Sequence, residues 1–179
     1  SKILKTPTLY FQLLILTLVM VLFASCSTDE DNSLEEEAVF ESVTLNLSGL
    51  GIQQVETSFQ VEGYSFTSYW AESIEGFQGS FEGEQLDFGG LALWYPDAES
   101  NPSYIELNVD SAAGMSKITA RAWNGGGTTS ATLYNNEVIL EDVRAPSEIN
   151  DIVFNIEEET ANRFRISSYE GAAISITLE

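Results

Sequence analysis

Apolar and polar residues alternate with a period of two through most of the chain from Val39 onward. This alternation is typical of β-strands that bury one side and expose the other. Gly, Asn, Ser and Pro residues separate the alternating segments, as expected of turns. The pattern therefore predicts an all-β domain, a jelly-roll-like β-sandwich of roughly ten short antiparallel strands. The apolar positions of three clear segments are Val43, Leu45 and Leu47; Ile105, Leu107 and Val109; and Ile118, Ala120 and Ala122.

The first 25 residues do not follow this pattern. Lys2 and Lys5 precede an almost uninterrupted apolar run that ends in the small residues Ala24 and Ser25. A positive start, an apolar middle and small residues at the end are typical of an export signal. The apolar run is also long enough to span a bilayer, so an uncleaved membrane anchor and a plain secretory signal remain alternatives.

The five residues "LFASC", which end at Cys26, resemble the lipobox of bacterial lipoproteins, with Phe23 at the position where Leu is usual. The resemblance implies cleavage before Cys26, a lipid such as palmitate on its sulfur, and acylation of the new N-terminus. Several acyl chains retain a protein on a membrane where one does not. Cys26 is the only cysteine of the chain, so it cannot form an internal disulfide.

Six of the eleven residues over 27–37 are acidic, and none is aromatic. Such a run repels itself and stays extended, so it predicts a disordered tether. It also resembles the acidic signal that directs some Gram-negative lipoproteins to the outer face of the outer membrane; a simple solvated linker is the alternative. We therefore expect a helical signal peptide over 1–25, a lipidated Cys26 and tether over 26–38, and the sandwich over 39–179, facing the exterior.

The charge balance excludes several classes of function. The chain has 28 acidic and 7 basic residues, a formal charge of −21, and no histidine. Nucleic acids and anionic membrane surfaces repel such a protein, so neither is expected as a partner. The lack of histidine removes the commonest general base and the commonest transition-metal ligand. We therefore expect that the protein is not an enzyme. The remaining catalytic alternative is a glycoside hydrolase that uses two carboxylates.

The segment 116–136 predicts a β-hairpin around Gly125, Gly126 and Gly127, which tolerate positive φ angles. If Asn124 lies opposite Thr129, the polarity of the two strands agrees on both faces. Aromatic planes beside hydrogen-bonding groups suit sugar rings, so the outward face predicts a glycan-binding platform. The alternative is that its two aromatic rings pack over neighbouring parts of the sandwich. The expected platform residues are Trp123, Arg121, Tyr134 and Thr132.

Three further features bear on candidate sites. Trp94 lies beside a loop and is a fifth candidate for ligand binding. Trp70 shares the parity of Phe66 and is expected in the core. A structural calcium ion is the only cofactor considered, because calcium takes several oxygen ligands and carboxylates lie near turns. The candidate calcium ligands are Asp97, Glu99 and Asp110.

The last 30 residues, over 150–179, resemble the closing strands of galactose-binding-like jelly rolls, which are common in carbohydrate-binding modules. In that family an arginine-bearing strand, here "RFRISS", leads through a glycine turn to the final strand. The resemblance implies a non-catalytic, glycan-binding module on an outer-membrane lipoprotein. The alternative is a structural or accessory subunit of an envelope assembly, with another envelope protein as its partner.

Overall fold

The computed structural model describes residues 39–94, 101–146, 148–156 and 160–179, and it contains eleven strands among them. The expected signal helix, Cys26 and the acidic tether lie outside the described residues. The strands are β1 Val43–Asn46, β2 Gln53–Val61, β3 Tyr64–Phe81, β4 Glu84–Trp94, β5 Ser103–Asn108, β6 Lys117–Asn124, β7 Ser130–Asn135, β8 Val138–Arg144, β9 Glu148–Asn155, β10 Arg163–Ser168 and β11 Glu170–Leu178.

All strand pairs are antiparallel, and the hydrogen-bonded order is β8-β7-β10-β5-β3-β4-β11-β6-β9. β1 pairs with β11, and β2 pairs with β3. The sheet folds on itself at β3. We call β8, β7, β10, β5, the first half of β3 and β2 the first layer. We call the second half of β3 with β4, β11, β6, β9 and β1 the second layer.

The two layers enclose one hydrophobic core to which strands of both contribute. The alternation read from the sequence is the reason, because every second side chain of a strand points to the same side. Phe66 and Phe164 from the first layer are buried with Phe154 and Ile176 from the second. The predicted all-β antiparallel sandwich is confirmed. The apolar stripes of β1, β5 and β6 are buried as predicted, apart from the half-buried Val43.

Trp70 is a correction to the predicted core. Its side chain is 37% exposed, and its φ angle is 53°, a left-handed conformation that bulky residues rarely adopt. The residue lies where the neighbour of β3 changes from β5, paired up to Tyr69, to β4, paired from Ala71. The left-handed turn reverses the parity of the strand, so that Ala71 is buried instead. Counting alternate residues from Phe66 therefore predicts the wrong side of the strand at Trp70.

The tip of the β3–β4 hairpin folds over the outer face of the second layer. A register shift between Ile74 and Phe77 bends β3 before this tip. The backbone N–H of Ser80 donates a hydrogen bond of 2.9 Å to the carboxylate of Glu148, the first residue of the distant strand β9. We call residues 77–87 the hairpin arm. Among the described residues, no helix is long and apolar enough to cross a membrane.

Candidate functional site

The outer face of the first layer carries polar and aromatic side chains in straight rows across the strands. Paired residues of neighbouring strands lie side by side, so each row follows from the strand register. The first row is Ser58, Thr67, Glu106, Arg165, Thr132 and Asp142. The adjacent row is Glu56, Tyr69, Tyr104, Ser167, Ser130 and Arg144. Six strands thus form one continuous face, which is open to solvent except at Thr132, a buried residue that donates a hydrogen bond of 2.6 Å to Asp142.

Rings and guanidinium groups stack along this surface. The rings of Tyr69 and Tyr104 are nearly parallel, with centroids 5.8 Å apart. The guanidinium carbon of Arg165 lies 4.1 Å from the Tyr104 ring centroid and 5.7 Å from that of Tyr134. Arg163 covers the Tyr134 ring at 4.4 Å. These cation–π contacts hold the rings in fixed positions. We call these five residues the tyrosine–arginine ladder.

Glu106 ties the two arginines of the ladder together. Arg165 Nε donates a hydrogen bond of 2.8 Å to the Glu106 Oε2, and the Arg165 Nη2 lies 2.6 Å from the same oxygen. Arg163 Nε lies 3.6 Å from it. The Glu106 side chain is only 14% exposed, so removing these cations would leave a poorly hydrated carboxylate. The ion pairs therefore set the geometry of the ladder.

A groove of about 570 Å³ borders the ladder at the β2 edge of the layer. It is lined by the hydroxyl-bearing residues Thr57, Ser58, Thr67 and the buried Ser68, and Tyr104 forms part of its wall. The carboxylate of Glu56 also lines it. Trp70 lies next to this region in sequence and contacts Tyr69 edge to face, with ring centroids 6.4 Å apart. An aromatic surface and a set of hydroxyls therefore lie side by side.

The outer face of the second layer is different, because its aromatic rings pack against one another. Trp123 lies 5.9 Å from Phe88 and 6.3 Å from Trp94 between ring centroids, and Phe77 lies 6.0 Å from Trp94. The hairpin arm covers them at Gly79, where an added Cβ would lie 3.0 Å from Trp123 Cδ1. These rings, with Ile149 and Ile174 beside them, form a second hydrophobic cluster. We call them the tryptophan cluster.

Arg121 sits at the margin of the tryptophan cluster. It makes a two-pronged ion pair with Asp151, with both hydrogen bonds 2.7 Å long, and its guanidinium lies 4.6 Å from the Phe81 ring centroid. The hydrogen bond to Asp151 raises the pKa of Arg121 above its ordinary value, against the opposing effect of burial. A depression of about 290 Å³ lies between Arg121, Asp87 and Ile174.

The predicted hairpin of β6 and β7 is wrong. β6 pairs with β11 and β9 in the second layer, whereas β7 pairs with β10 and β8 in the first. Trp123, Arg121 and Trp94 therefore lie on one outer face, and Tyr134 and Thr132 lie on the other. The five residues do not form one platform. Whether either group binds a ligand stays a prediction.

The glycine loop crosses between the layers instead of closing a hairpin. The buried Asn124 accepts hydrogen bonds from the N–H groups of Thr128 at 3.0 Å and Thr129 at 3.3 Å. Its amide donates to the carbonyls of Ala145 at 2.8 Å and Pro146 at 3.1 Å. The expected proximity of Asn124 and Thr129 is thus present, but a side chain mediates it and the strands then diverge.

The calcium prediction stays open. Asp97 and Glu99 lie outside the described residues. Asp110 is exposed beside the short 3-10 turn Ser111–Ala113. Within the described ranges, no group of three or more Asp, Glu, His or Cys side chains is placed to hold a metal ion.

Sequence reasoning missed most of the ladder. Arg163 and Arg165 alternate with the buried Phe164 and Ile166, so their outward direction was readable from the sequence. Their meeting with Tyr104 was not, because β5 and β10 are about sixty residues apart in the chain. Only the strand order brings these side chains together.

No protein-family model matches the chain, and no curated protein matches it. Several solved carbohydrate-binding modules are similar in structure. A low-affinity xylan-binding module, CBM86, from Roseburia intestinalis is 10% identical with a TM-score of 0.40, covering 78% of this chain and 96% of that one. The C-terminal CBM6 module of LamC from Zobellia galactanivorans is 13% identical with a TM-score of 0.35, covering 77% and 98%.

A CBM6 module of lichenase 5A from Cellvibrio mixtus, solved with cellotriose, is 12% identical with a TM-score of 0.37, covering 76% of this chain and 95% of that one. At identities and TM-scores this low, the likeness assigns neither a family nor a ligand to this chain.

Proposed function

We propose that this domain is a non-catalytic glycan-binding module, and that the tyrosine–arginine ladder with its groove is the binding surface. One face of a sugar ring is lined by C–H groups and its edge by hydroxyls. Aromatic rings suit the first, and hydroxyl and carboxylate groups suit the second. The ladder and the groove beside it combine both kinds of group on one open face.

The observation that carries this proposal is the fixed position of the Tyr104 ring. Arg165 lies against the ring and Tyr69 stacks beside it, so little conformational entropy remains to be lost on binding. The ring also forms part of the groove wall, beside the Ser58 and Thr67 hydroxyls. A ligand in the groove would therefore meet a preorganised aromatic surface and adjacent hydrogen-bonding groups.

The proposal includes placement at the outer membrane by lipid on Cys26. The lipobox-like residues before Cys26 and the acidic run after it support this part. Mass spectrometry of the protein extracted from membranes tests it, and the expected N-terminal peptide begins at an acylated, lipidated Cys26. An intact leader or an unmodified thiol would contradict the placement without affecting the binding surface.

The binding proposal is tested with the compact unit Ala38–Glu179, which encloses its own core. A glycan array is probed with this unit and with Tyr104→Ala. We expect glycan hits that weaken at least about tenfold in the variant, which corresponds to about 1.4 kcal/mol. Val153→Ala, a half-exposed position in β9 of the second layer, is the matched control and should bind normally.

An array without hits, or hits that Tyr104→Ala leaves unchanged, would contradict the proposed surface. Trp123→Ala on the same array tests the other outer face. Loss of binding in Trp123→Ala, with a normal unfolding transition, would move the site to the tryptophan cluster.

The second candidate function, an interaction subunit of an envelope assembly, has one observation in its favour. The edge strand β8 exposes Val138 and Ile139, at 64% and 57%. Exposed apolar side chains on a strand edge can pair with another chain. Photo-crosslinking from position 138 in intact cells tests this function, and a single protein adduct lost in Ile139→Asp would support it.

A further inference from the structure

Every basic side chain from Ala38 onward is already engaged by the protein itself. The sequence after residue 37 has five basic residues against 22 acidic ones. Lys117 pairs with Glu179 at 2.6 Å, and Arg121 pairs with Asp151. Arg144 Nε donates to the Gly127 carbonyl at 2.7 Å. The engaged basic residues of the ladder are Arg163, which donates to the Asn136 carbonyl at 2.9 Å, and Arg165, which pairs with Glu106. The Arg163 Nε makes no hydrogen bond, but it is buried and therefore not accessible to a ligand.

Recognition of a carboxylate, sulfate or phosphate group in a ligand requires donors that are free to turn toward it. Arginine is the preferred donor, because its two parallel N–H groups match two anionic oxygens. Here Arg165 already presents those groups to Glu106. Turning Arg165 toward a ligand would leave the mostly buried Glu106 with a weakened ion pair, which is costly.

The groove itself also carries negative charge. Glu56 is exposed and lines it, and the domain around it has more than four acidic residues for each basic one. A surface of one sign lowers the local concentration of ligands of the same sign. This repulsion acts over roughly 10 Å at about 0.1 M salt.

We infer that the groove takes uncharged glycans and excludes those that carry uronate or sulfate groups. This inference rests on the proposed function and specifies its ligand class. The arginines already pair within the protein, so they are not available to bind the anionic groups of a glycan. The excess of acidic residues also repels such a glycan. A neutral glycan needs only the aromatic rings, hydroxyls and carboxylates that the groove presents.

The experiment uses pairs of polysaccharides that share a backbone and differ in charge. The Ala38–Glu179 unit is titrated with methyl-esterified and de-esterified homogalacturonan, and with desulfated and sulfated galactans, beside uncharged glucans, xylans and mannans. A chelator is present throughout, so that calcium cannot bridge acidic groups. We expect binding to at least one uncharged glycan and at least tenfold weaker binding to the charged member of any pair whose neutral member binds.

The Glu56→Gln variant tests the charge of the groove, and Glu84→Gln, at the exposed start of β4, is its control. Both variants remove one negative charge. We expect Glu56→Gln to bring charged and uncharged partners closer in affinity by roughly threefold at low salt, and Glu84→Gln to change nothing. Equal effects of the two variants would overturn the assignment of Glu56 to the site.

The outcomes separate the inference from the proposed function. Equal or tighter binding of the charged polysaccharides overturns the inference, but the proposed function as a glycan-binding module would still stand. No binding to any polysaccharide overturns both. Binding to uncharged members only, unchanged between about 0.05 and 0.5 M salt, supports both, because screening weakens only interactions between charges.

Discussion

The two outer faces of the sandwich use aromatic residues in opposite ways. On the second layer, Trp94 and Trp123 pack under the hairpin arm, and their rings contact other rings of the same chain. On the first layer, Tyr134 contacts the guanidinium groups of Arg163 and Arg165, and Tyr104 contacts Arg165 and borders an open groove. The comparison shows that a ring's availability to a ligand depends on whether another segment of the chain packs over it, more than on the type of ring.

The hairpin arm accounts for this contrast. β3 and β4 extend beyond the sheet, and the bend before Phe77 turns their tip back over β6 and β9. Gly79 permits the close approach, because any side chain there would meet Trp123 and Ile149. The first layer has no equivalent arm among its described strands, so only arginine side chains lie over its tyrosine rings.

The largest expected effect is that of Trp123→Ala on stability. The ring fills space between Phe88 and Trp94, and its loss should lower the free energy of unfolding by about 3–5 kcal/mol. Urea unfolding followed by circular dichroism measures this. Binding per folded molecule should be unchanged. A loss below about 1 kcal/mol would mean that the tryptophan cluster is not a second core.

Glu106→Gln should have the next largest effect. The variant leaves Arg165 without a carboxylate and Arg163 with only the exposed Glu137, 3.8 Å away, which should cost roughly 2 kcal/mol of unfolding free energy. It should also raise binding of charged polysaccharides, because the arginines become free to turn. Asp142→Asn, at the exposed end of the same row, serves as the control for the loss of one charge. If the Glu106→Gln variant were as stable as the wild type and had the same ligand preference, the proposed role of the ladder's ion pairs would be contradicted.

Gly79→Ala probes the cover over the tryptophan cluster. The new methyl group would lie 3.0 Å from atoms of Trp123 and Ile149, so the hairpin arm must shift outward. We expect a cost of about 1–3 kcal/mol and faster hydrogen exchange in the arm. The control is Gly49→Ala, outside the arm: its φ of 70° strains any side chain, so the variant should cost stability without faster exchange in the arm. Unchanged exchange at Ser80 would show that the arm does not rest on Gly79.

The smallest expected effect is that of Arg121→Lys. The side chains of Arg121 and Asp151 are 40% and 32% exposed, so losing the two-pronged geometry should cost less than about 1 kcal/mol. Because the pKa of Arg121 is raised, the pair's contribution is complete at neutral pH and is lost only as the pH rises through that raised value in strong alkali. Stability that falls between neutral pH and about pH 9 in the wild type but not in the variant would contradict this assignment.

The sequence predicted the strands and their buried sides well, because alternation is a local property. Ile118, Ala120 and Ala122 are buried, and Arg121 and Trp123 point outward, as parity requires. The sequence did not predict which strands pair, because pairing depends on residues that are far apart in the chain. The strands β6 and β7 were expected to pair as neighbours, yet the buried amide of Asn124 directs the chain into the other layer.

The candidate site was predictable only in part for the same reason. Tyr134 and Thr132 were singled out and do lie beside Arg165, but the sequence placed them opposite Trp123 and Arg121. Trp70 was misplaced because a left-handed residue within a strand leaves no signature in the alternation before it. Local patterns therefore identify outward side chains, and only the strand order identifies their neighbours.

The 18-residue strand β3 belongs to both layers, since it pairs with β2 and β5 at one end and with β4 at the other. Neither half of the sandwich can come apart without breaking hydrogen bonds along this shared strand. Denaturation should consequently be a single cooperative event, so that probes placed in the two halves report the same transition.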